Sequence, residues 1–147
     1  MVVRIEKYFI IILLVAVTVQ CAVSSIGASE AKENRTTYVT AYYFHGNMRC
    51  ASCRKIEQYS REALEKFFTK ELHSGVLQFT PVNTDRPENT HYIHDYQLYT
   101  KSLVIVLMKD GKQVTWKNLA KVWQHLRDRD AFHDYVHEEV GAFLGKI

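Results

Sequence analysis

Hydrophobic and polar positions divide the chain into two unequal parts. Tyr8-Phe9-Ile10-Ile11-Ile12-Leu13-Leu14-Val15-Ala16-Val17-Thr18-Val19 is almost wholly apolar, follows Arg4 and Lys7, and precedes an uncharged stretch that lasts until Glu30. Beyond residue 35 the apolar positions fall into short blocks. Thr37–Phe44 is rich in β-branched and aromatic residues, which suit a pleated surface, and reads as a strand. After Cys50, residues Ile56, Tyr59, Ala63, Leu64, Phe67, Phe68 and Leu72 recur at three- and four-residue steps. That is the apolar stripe of one continuous helix, which Ser74-Gly75 ends. Val76–Val82 reads as a second strand, with Pro81 at an edge, bulge or strand end because it lacks a donor. A turn-rich stretch over 83–89 opens a short helix through Tyr92, Ile93 and Tyr96. Ser102–Met108 is an apolar run of central-strand type, and Asp110-Gly111 turns it into a hairpin with Gln113–Trp116. The tail carries two helical stripes. The first is Leu119, Val122, Trp123 and Leu126, and the second runs from Phe132 to Leu144, with a break around Arg127–Asp130. The order βαβαββα with an extra terminal helix predicts an α/β domain, one small sheet with helices on both sides.

The N-terminal run lies outside that domain. A basic start, an apolar stretch and then small residues describe a secretory signal peptide covering residues 1–28, cut between Ser24 and Ala31. The rival is an uncleaved membrane anchor, since a helix over residues 8–28 would span roughly 30 Å. A third reading lipidates Cys21, although Gln20 stands where a small residue is expected. All three place the remainder outside the cytoplasm, periplasmic or secreted, an orientation that the basic residues before the run favour. Residues 29–35 form a polar linker, and 36–147 the folded domain.

Composition narrows the options further. At 147 residues, with 6 glycines and 2 prolines, the chain is neither collagen-like nor broadly disordered. Its formal charge of +3 comes without a basic block, which argues against nucleic acid as a partner. Three cysteines are too few for a disulfide-dense scaffold or a four-cysteine zinc site.

The chemistry is concentrated at Cys50-Ala51-Ser52-Cys53. Two thiols three residues apart in the first turn of a helix can close a disulfide with little backbone movement. They also feel the unsatisfied N–H groups of the helix start, which lower a thiol's pKa. Arg49 precedes the pair, and Arg54 and Lys55 follow it, a cationic surround that would favour thiolate further. On this logic Cys50, nearer the helix end, attacks an incoming disulfide and Cys53, one turn in, resolves the mixed disulfide. Zinc would need further ligands, for which His45 is a candidate third. Haem attachment would need His where Arg54 stands. A purely structural disulfide is the plain alternative in a secreted domain, but an i,i+3 bond closes a tiny loop and constrains the unfolded chain little.

A Cys-x-x-Cys that follows a strand and opens an amphipathic helix, with Asn83-Thr84-Asp85, Tyr96-Gln97-Leu98, an apolar strand and Lys109-Asp110-Gly111-Lys112 in order, resembles the thioredoxin family over residues 36–145. The resemblance implies a thioredoxin-like mixed sheet of four to five strands and a partner-binding groove beside the pair. It also implies Cys50 as attacking and Cys53 as resolving thiol, with protein thiols or disulfides, or a redox protein, as partners. The departures are equally specific. Arg49 stands where the family carries Trp, Ala51-Ser52 where it carries Gly-Pro, and Ser102 takes the place of the cis-proline. The family's buried acid is missing too, the strand offering Tyr43 and Phe44 instead. These departures point away from general disulfide reduction and toward a specialised or electron-delivering role. Tyr42-Tyr43-Phe44-His45-Gly46, Cys53-Arg54-Lys55-Ile56-Glu57, Asp95-Tyr96-Gln97-Leu98 and the Trp116, Leu119, Val122, Trp123 pattern are also similar to small bacterial thioredoxin-like proteins of the ArsF type. That group is described as a nitrophenyl-compound nitroreductase subunit. Nitro reduction needs a cofactor such as flavin; nothing in the chain resembles a flavin or nicotinamide site, so no cofactor is expected. The competing function is therefore a non-catalytic subunit or binding module whose disulfide is structural.

Other candidates are weaker. His133 and His137, four apart on the last helix, read as a solvated face rather than a metal pair, and His91 and His94 as surface. His45, a few residues before Cys50, is a supporting residue able to exchange protons with the pair, or a plain turn residue. The tryptophans and tyrosines read as packing.

Overall fold

A computed structural model describes residues 36–147. The expectations for residues 1–28 and 29–35, whether signal, anchor or linker, lie outside the described residues. Four strands, β1 (Thr37–His45), β2 (Leu77–Asn83), β3 (Ser102–Lys109) and β4 (Lys112–Asn118), form one sheet in the order β2-β1-β3-β4. β1 pairs parallel with β2 and antiparallel with β3, and β3 pairs antiparallel with β4. Among the described residues, four α-helices accompany them: α1 (Ala51–Phe67), α2 (Thr69–Ser74), α3 (His91–Asp95) and α4 (Arg129–Leu144). This mixed sheet with helices on both faces and a C-terminal helix is a thioredoxin-like α/β fold.

Strand alternation separates two cores. Val39, Ala41 and Tyr43 of β1 and Leu103, Ile105 and Leu107 of β3 face α1 and α4, joining Ile56, Leu64, Phe132, Val136 and Val140 in the larger cluster. The intervening Phe44, Val104 and Val106 face the other way, onto Tyr92 and Tyr96 of the α3 side. Period-two burial on both faces is why β3 reads as an unbroken apolar run. Pro81 sits on β2, an edge strand, where its missing N–H breaks no inner ladder. The hairpin turns at Asp110 (φ 50°) and Gly111 (φ 73°), left-handed conformations that a tight hairpin requires and Gly tolerates best. Leu107 pairs with Thr115 and Met108 with Gln113, so Val114 is an extra residue bulged out of β4.

Three expectations need correction. The continuous helix from Cys50 to Leu72 is two helices, broken at Phe68 (φ −129°, ψ 32°). The hydroxyl of Thr69 donates to the Glu65 carbonyl, a side-chain bond that competes with the helical ladder at the break. The bend turns Phe68 into the larger core. The first tail stripe is not an α-helix: Ala120–Trp123 is a 3₁₀ turn, with Val122 N–H donating to the Leu119 carbonyl and Gln124 N–H to that of Lys121. Finally, His133 is not on a solvated face. It is 4% exposed, lies edge-on to the Tyr59 ring, and brings Nε2 to 3.5 Å from Glu62 Oε2. His137 is exposed, yet it stacks on Phe67 with centroids 4.2 Å apart. His91 and His94 are on the surface.

Candidate active site at the start of α1

β1 ends at His45, and four residues, Gly46 to Arg49, carry the chain across the end of the sheet to Cys50. Gly46 is packed so closely on Asp85 that a Cβ there would lie 2.8 Å from Oδ2. The same carboxylate accepts the Asn47 N–H at 2.7 Å, and Thr84 N–H donates to the His45 carbonyl at 2.8 Å. The loop is thereby fastened to the end of β2 before it delivers the first cysteine.

Cys50 is the N-cap of α1, with extended backbone (φ −70°, ψ 170°), and its Sγ accepts the Cys53 N–H at 3.3 Å. A sulfur in the capping position takes the place of the usual side-chain oxygen, at the positive end of the helix. Helical geometry then returns Cys53 to the same side, and the two sulfurs lie 2.6 Å apart. Cys50 is exposed and Cys53 buried, both as free thiols. The hydrogen bond from the Cys53 thiol, and then the Cys53 backbone N–H, pull the Cys50 thiol below its ordinary value. Burial pushes the Cys53 thiol up, reinforced by its bond to Cys50. Neighbours of identical chemistry are thus driven apart, one toward thiolate and the other toward thiol.

Beneath the pair lies a residue that sequence reasoning noted only as the occupant of the missing acid's strand. Tyr43 is fully buried in β1, and its hydroxyl donates to the Cys53 carbonyl at 2.6 Å. Burial, and then the nearby Cys53, hold this phenol protonated well above its ordinary range. The hydroxyl fastens the first turn of α1 to the sheet.

Two of the cations adjacent to the pair have partners of their own. Arg49 is ion-paired to Glu57 and turned into a shallow groove with Arg54, Gln58 and Arg61. Lys55 lies over the Tyr59 ring at 5.3 Å. The Cys50 thiol is lowered chiefly by its hydrogen bonds to Cys53. Lys101, from the loop before β3, adds a small lowering to Cys53 that burial outweighs.

Ser102 begins β3 opposite Phe44. Its hydroxyl donates to the Thr100 carbonyl at 2.9 Å and accepts from Asn118 Nδ2 at 3.3 Å, which closes the loop where a proline was expected by family pattern. His45 packs its ring 5.9 Å from that of Tyr43, with Nδ1 directed to the Gly46 carbonyl at 3.0 Å. A cavity of about 220 Å³ opens beside this loop, lined in part by His45, Met48, Asp85, Ile93, Tyr99 and Lys101. Among the described residues no three His, Cys, Asp or Glu side chains converge as a metal site.

No protein-family model matches the chain, and no curated protein matches it. Solved structures do. The chain is similar to thioredoxin from Fasciola hepatica at 24% identity, covering 66% of this chain and 85% of that one, with a TM-score of 0.38. It is similar to Trxlp from Edwardsiella tarda at 13% identity, over 76% and 93% of the two chains, with a TM-score of 0.43. The thioredoxin of Trypanosoma brucei brucei gives 13% identity over 80% and 87%, with a TM-score of 0.41. At these identities and scores the likeness bears on no residue's role.

Proposed function

We propose that this protein exchanges electrons with protein thiols and disulfides through Cys50 and Cys53, outside the cytoplasm. The asymmetry of the pair carries the reading. An exposed sulfur at a helix N-terminus, its pKa lowered, is the form of a nucleophile. A buried sulfur 2.6 Å away, its pKa raised, is the form of a resolving thiol. A structural disulfide has no need of an exposed member tuned toward thiolate. The extracytoplasmic location rests on the apolar run over residues 8–19 and the basic residues before it.

In the reductive direction the Cys50 thiolate attacks one sulfur of a partner disulfide, releasing the other as a thiolate. Cys53 then attacks Cys50 Sγ, and the second partner sulfur leaves. Ser102 holds the opposing loop by its two hydrogen bonds, Arg49 ties the loop before Cys50 to α1 through Glu57, and His45 shares the sheet face of Tyr43. No observation in the described residues favours the alternative, a non-catalytic subunit of a nitroreductase-type system.

Substitution tests the division of labour. Cys53→Ser should accumulate mixed disulfides with partner proteins in intact cells, cleavable by reductant, whereas Cys50→Ser should accumulate none. Equal trapping by both variants, or by neither, would contradict the assignment.

A further inference from the structure

We propose that the surface around Cys50 recognises an acidic partner segment, with carboxylates laid along α1 on one side of the partner's cysteine and a large apolar side chain on the other. The proposal rests on the exchange reading above and names the substrate class of that same pair.

Helical spacing sets the acidic half. Arg54 N–H donates to the Cys50 carbonyl at 3.1 Å, which puts Arg54 one turn above the exposed cysteine. Positions 50, 54, 57 and 61 recur at steps of four, three and four. Arg54, Glu57 and Arg61 therefore form one stripe along α1 with Cys50 at its head. Arg54 and Arg61 are exposed, and with Arg49 they line the shallow groove beside the pair.

The carboxylates of that groove are engaged from within. Glu57 pairs with Arg49, and Arg61 stands 3.9 Å from its other oxygen. Glu62 takes Arg129 at 2.9 Å and the Gln58 amide at 2.9 Å. No ion pair among the described residues includes Arg54. From residue 49 to residue 61 the chain carries Arg49, Arg54, Lys55 and Arg61 against Glu57 alone. The first turn of α1 has no acid, although a helix start favours negative side chains. Positive charge thus accumulates where the helix already presents it, an arrangement that costs the free domain stability and that an anionic partner relieves.

On the other side of Cys50 the surface turns apolar. Met48 is 84% exposed and Tyr99 96%, and with Ile93 they border the cavity of about 220 Å³. Of the five large apolar side chains exposed among the described residues, three are therefore gathered at one place, and such gathering marks a contact surface. Met48 is two residues before Cys50, so their Cα atoms lie within about 8 Å. The charged groups of the cavity, Asp85 and Lys101, have opposite signs, and Asp85 already accepts the Asn47 N–H. The exposed rim then decides the occupant.

The two halves fix its register. Arg54 lies about 6 Å and Arg61 about 16 Å along α1 from Cys50. An extended chain covers about 3.3 Å per residue, so carboxylates about two and five residues from the partner's cysteine meet the two guanidinium groups. An apolar residue about two positions to its other side meets Met48 and Tyr99. In the docked complex the Cys50 thiolate joins the partner sulfur, and the sulfur it displaces leaves with the electron pair and takes up a proton. Cys53 loses its proton to water and attacks Cys50 Sγ, and the partner sulfur leaves in the same way. The pair closes to a disulfide, having given two electrons.

The test uses the reduced full chain and disulfide-linked dimers of short peptides. One peptide is Phe-x-Cys-x-Glu-x-x-Glu with neutral spacers, and another has the reverse order. In counterparts Lys replaces each Glu, or Ser replaces Phe. Initial rates of peptide thiol release are divided by those with dithiothreitol, which removes the peptides' own reactivity. In the faster of the two orders the Glu peptide should react about tenfold faster than the Lys peptide at low salt, and about twofold faster in about 1 M salt. Replacing Phe should slow release about fivefold. Arg54→Gln with Arg61→Gln should reduce the charge preference to about twofold, and Met48→Ser with Tyr99→Ser should abolish the preference for Phe. If those variants do not fold, the peptide and salt comparisons on the wild-type chain still decide. Equal rates for the Glu and Lys peptides, a preference for Lys, equal rates for the Phe and Ser peptides, or a charge preference unmoved by salt would overturn the proposal. A wild-type chain that reduces none of the peptides would instead defeat the exchange reading, and the proposal with it.

Discussion

Removing one oxygen, in Tyr43→Phe, isolates the contact between the sheet and the cysteine turn. The ring is fully buried and stays in place, so no cavity opens and the change is confined to the hydroxyl. That hydroxyl donates to the Cys53 carbonyl at 2.6 Å. The carbonyl lies in the first turn of α1, where the amide four residues on supplies its helical bond, so it is not orphaned by the substitution. The loss is therefore that of one ordinary buried hydrogen bond, about 1 kcal/mol, rather than the larger penalty of a stranded acceptor. For a domain of this size that corresponds to a fall in Tm of about 4 °C. Urea unfolding with an unchanged slope should show the same loss. Because the turn it releases carries the amide and thiol that stabilise Cys50, the Cys50 titration, followed by thiolate absorbance, should move up toward the ordinary thiol range. A Tyr43→Phe protein as stable as wild type, with Cys50 titrating unchanged, would refute the view that this hydroxyl anchors the redox turn.

Three further outcomes follow from the structure. Iodoacetamide should label Cys50 well ahead of Cys53 at neutral pH, with a midpoint below the ordinary thiol value of about 8.5; equal labelling, or Cys53 first, would contradict the assignment. The linked stability has opposite signs at the two sulfurs. Cys50, lowered in the fold, contributes above the ordinary thiol value and loses that contribution as pH falls through the lowered one. Cys53, raised, contributes below the ordinary value and loses that as pH rises through the raised one. Gly46→Ala should force the Asp85 carboxylate off the Asn47 N–H, at a cost of about 1 kcal/mol. In the Asp85→Ala background the same change should cost much less in urea unfolding, and additive costs would show that the two residues are not coupled.

Much of this architecture was legible in the chain. β1 and β3 declared themselves because each buries both faces, and Cys50 and Cys53 because thiols at that spacing before an apolar stripe have few other uses. The break at Phe68 left no trace in the periodicity, since Phe68 N–H still bonds the Leu64 carbonyl and Leu72 N–H that of Phe68, which keeps the four-residue step across the bend. The 3₁₀ turn at Ala120–Trp123 is equally hidden, because over so short a run a step of three cannot be told from one of 3.6. His133 was misread because Asp134 and Glu138 suggested a wet face, whereas Glu62 on the opposing helix gives the ring a partner inside. The electrostatics were least legible of all. Arg49, Arg54 and Lys55 are near the pair in sequence, but Arg49 is paired with Glu57 and Lys55 lies on Tyr59.

The central claim, that the pair exists to exchange electrons, is tested most directly by its reduction potential, obtained by equilibration with glutathione. An exchange pair should fall between about −120 and −270 mV, the range of known exchange catalysts. A value below about −300 mV would mark a bond that resists reduction as structural disulfides do, and would contradict the account.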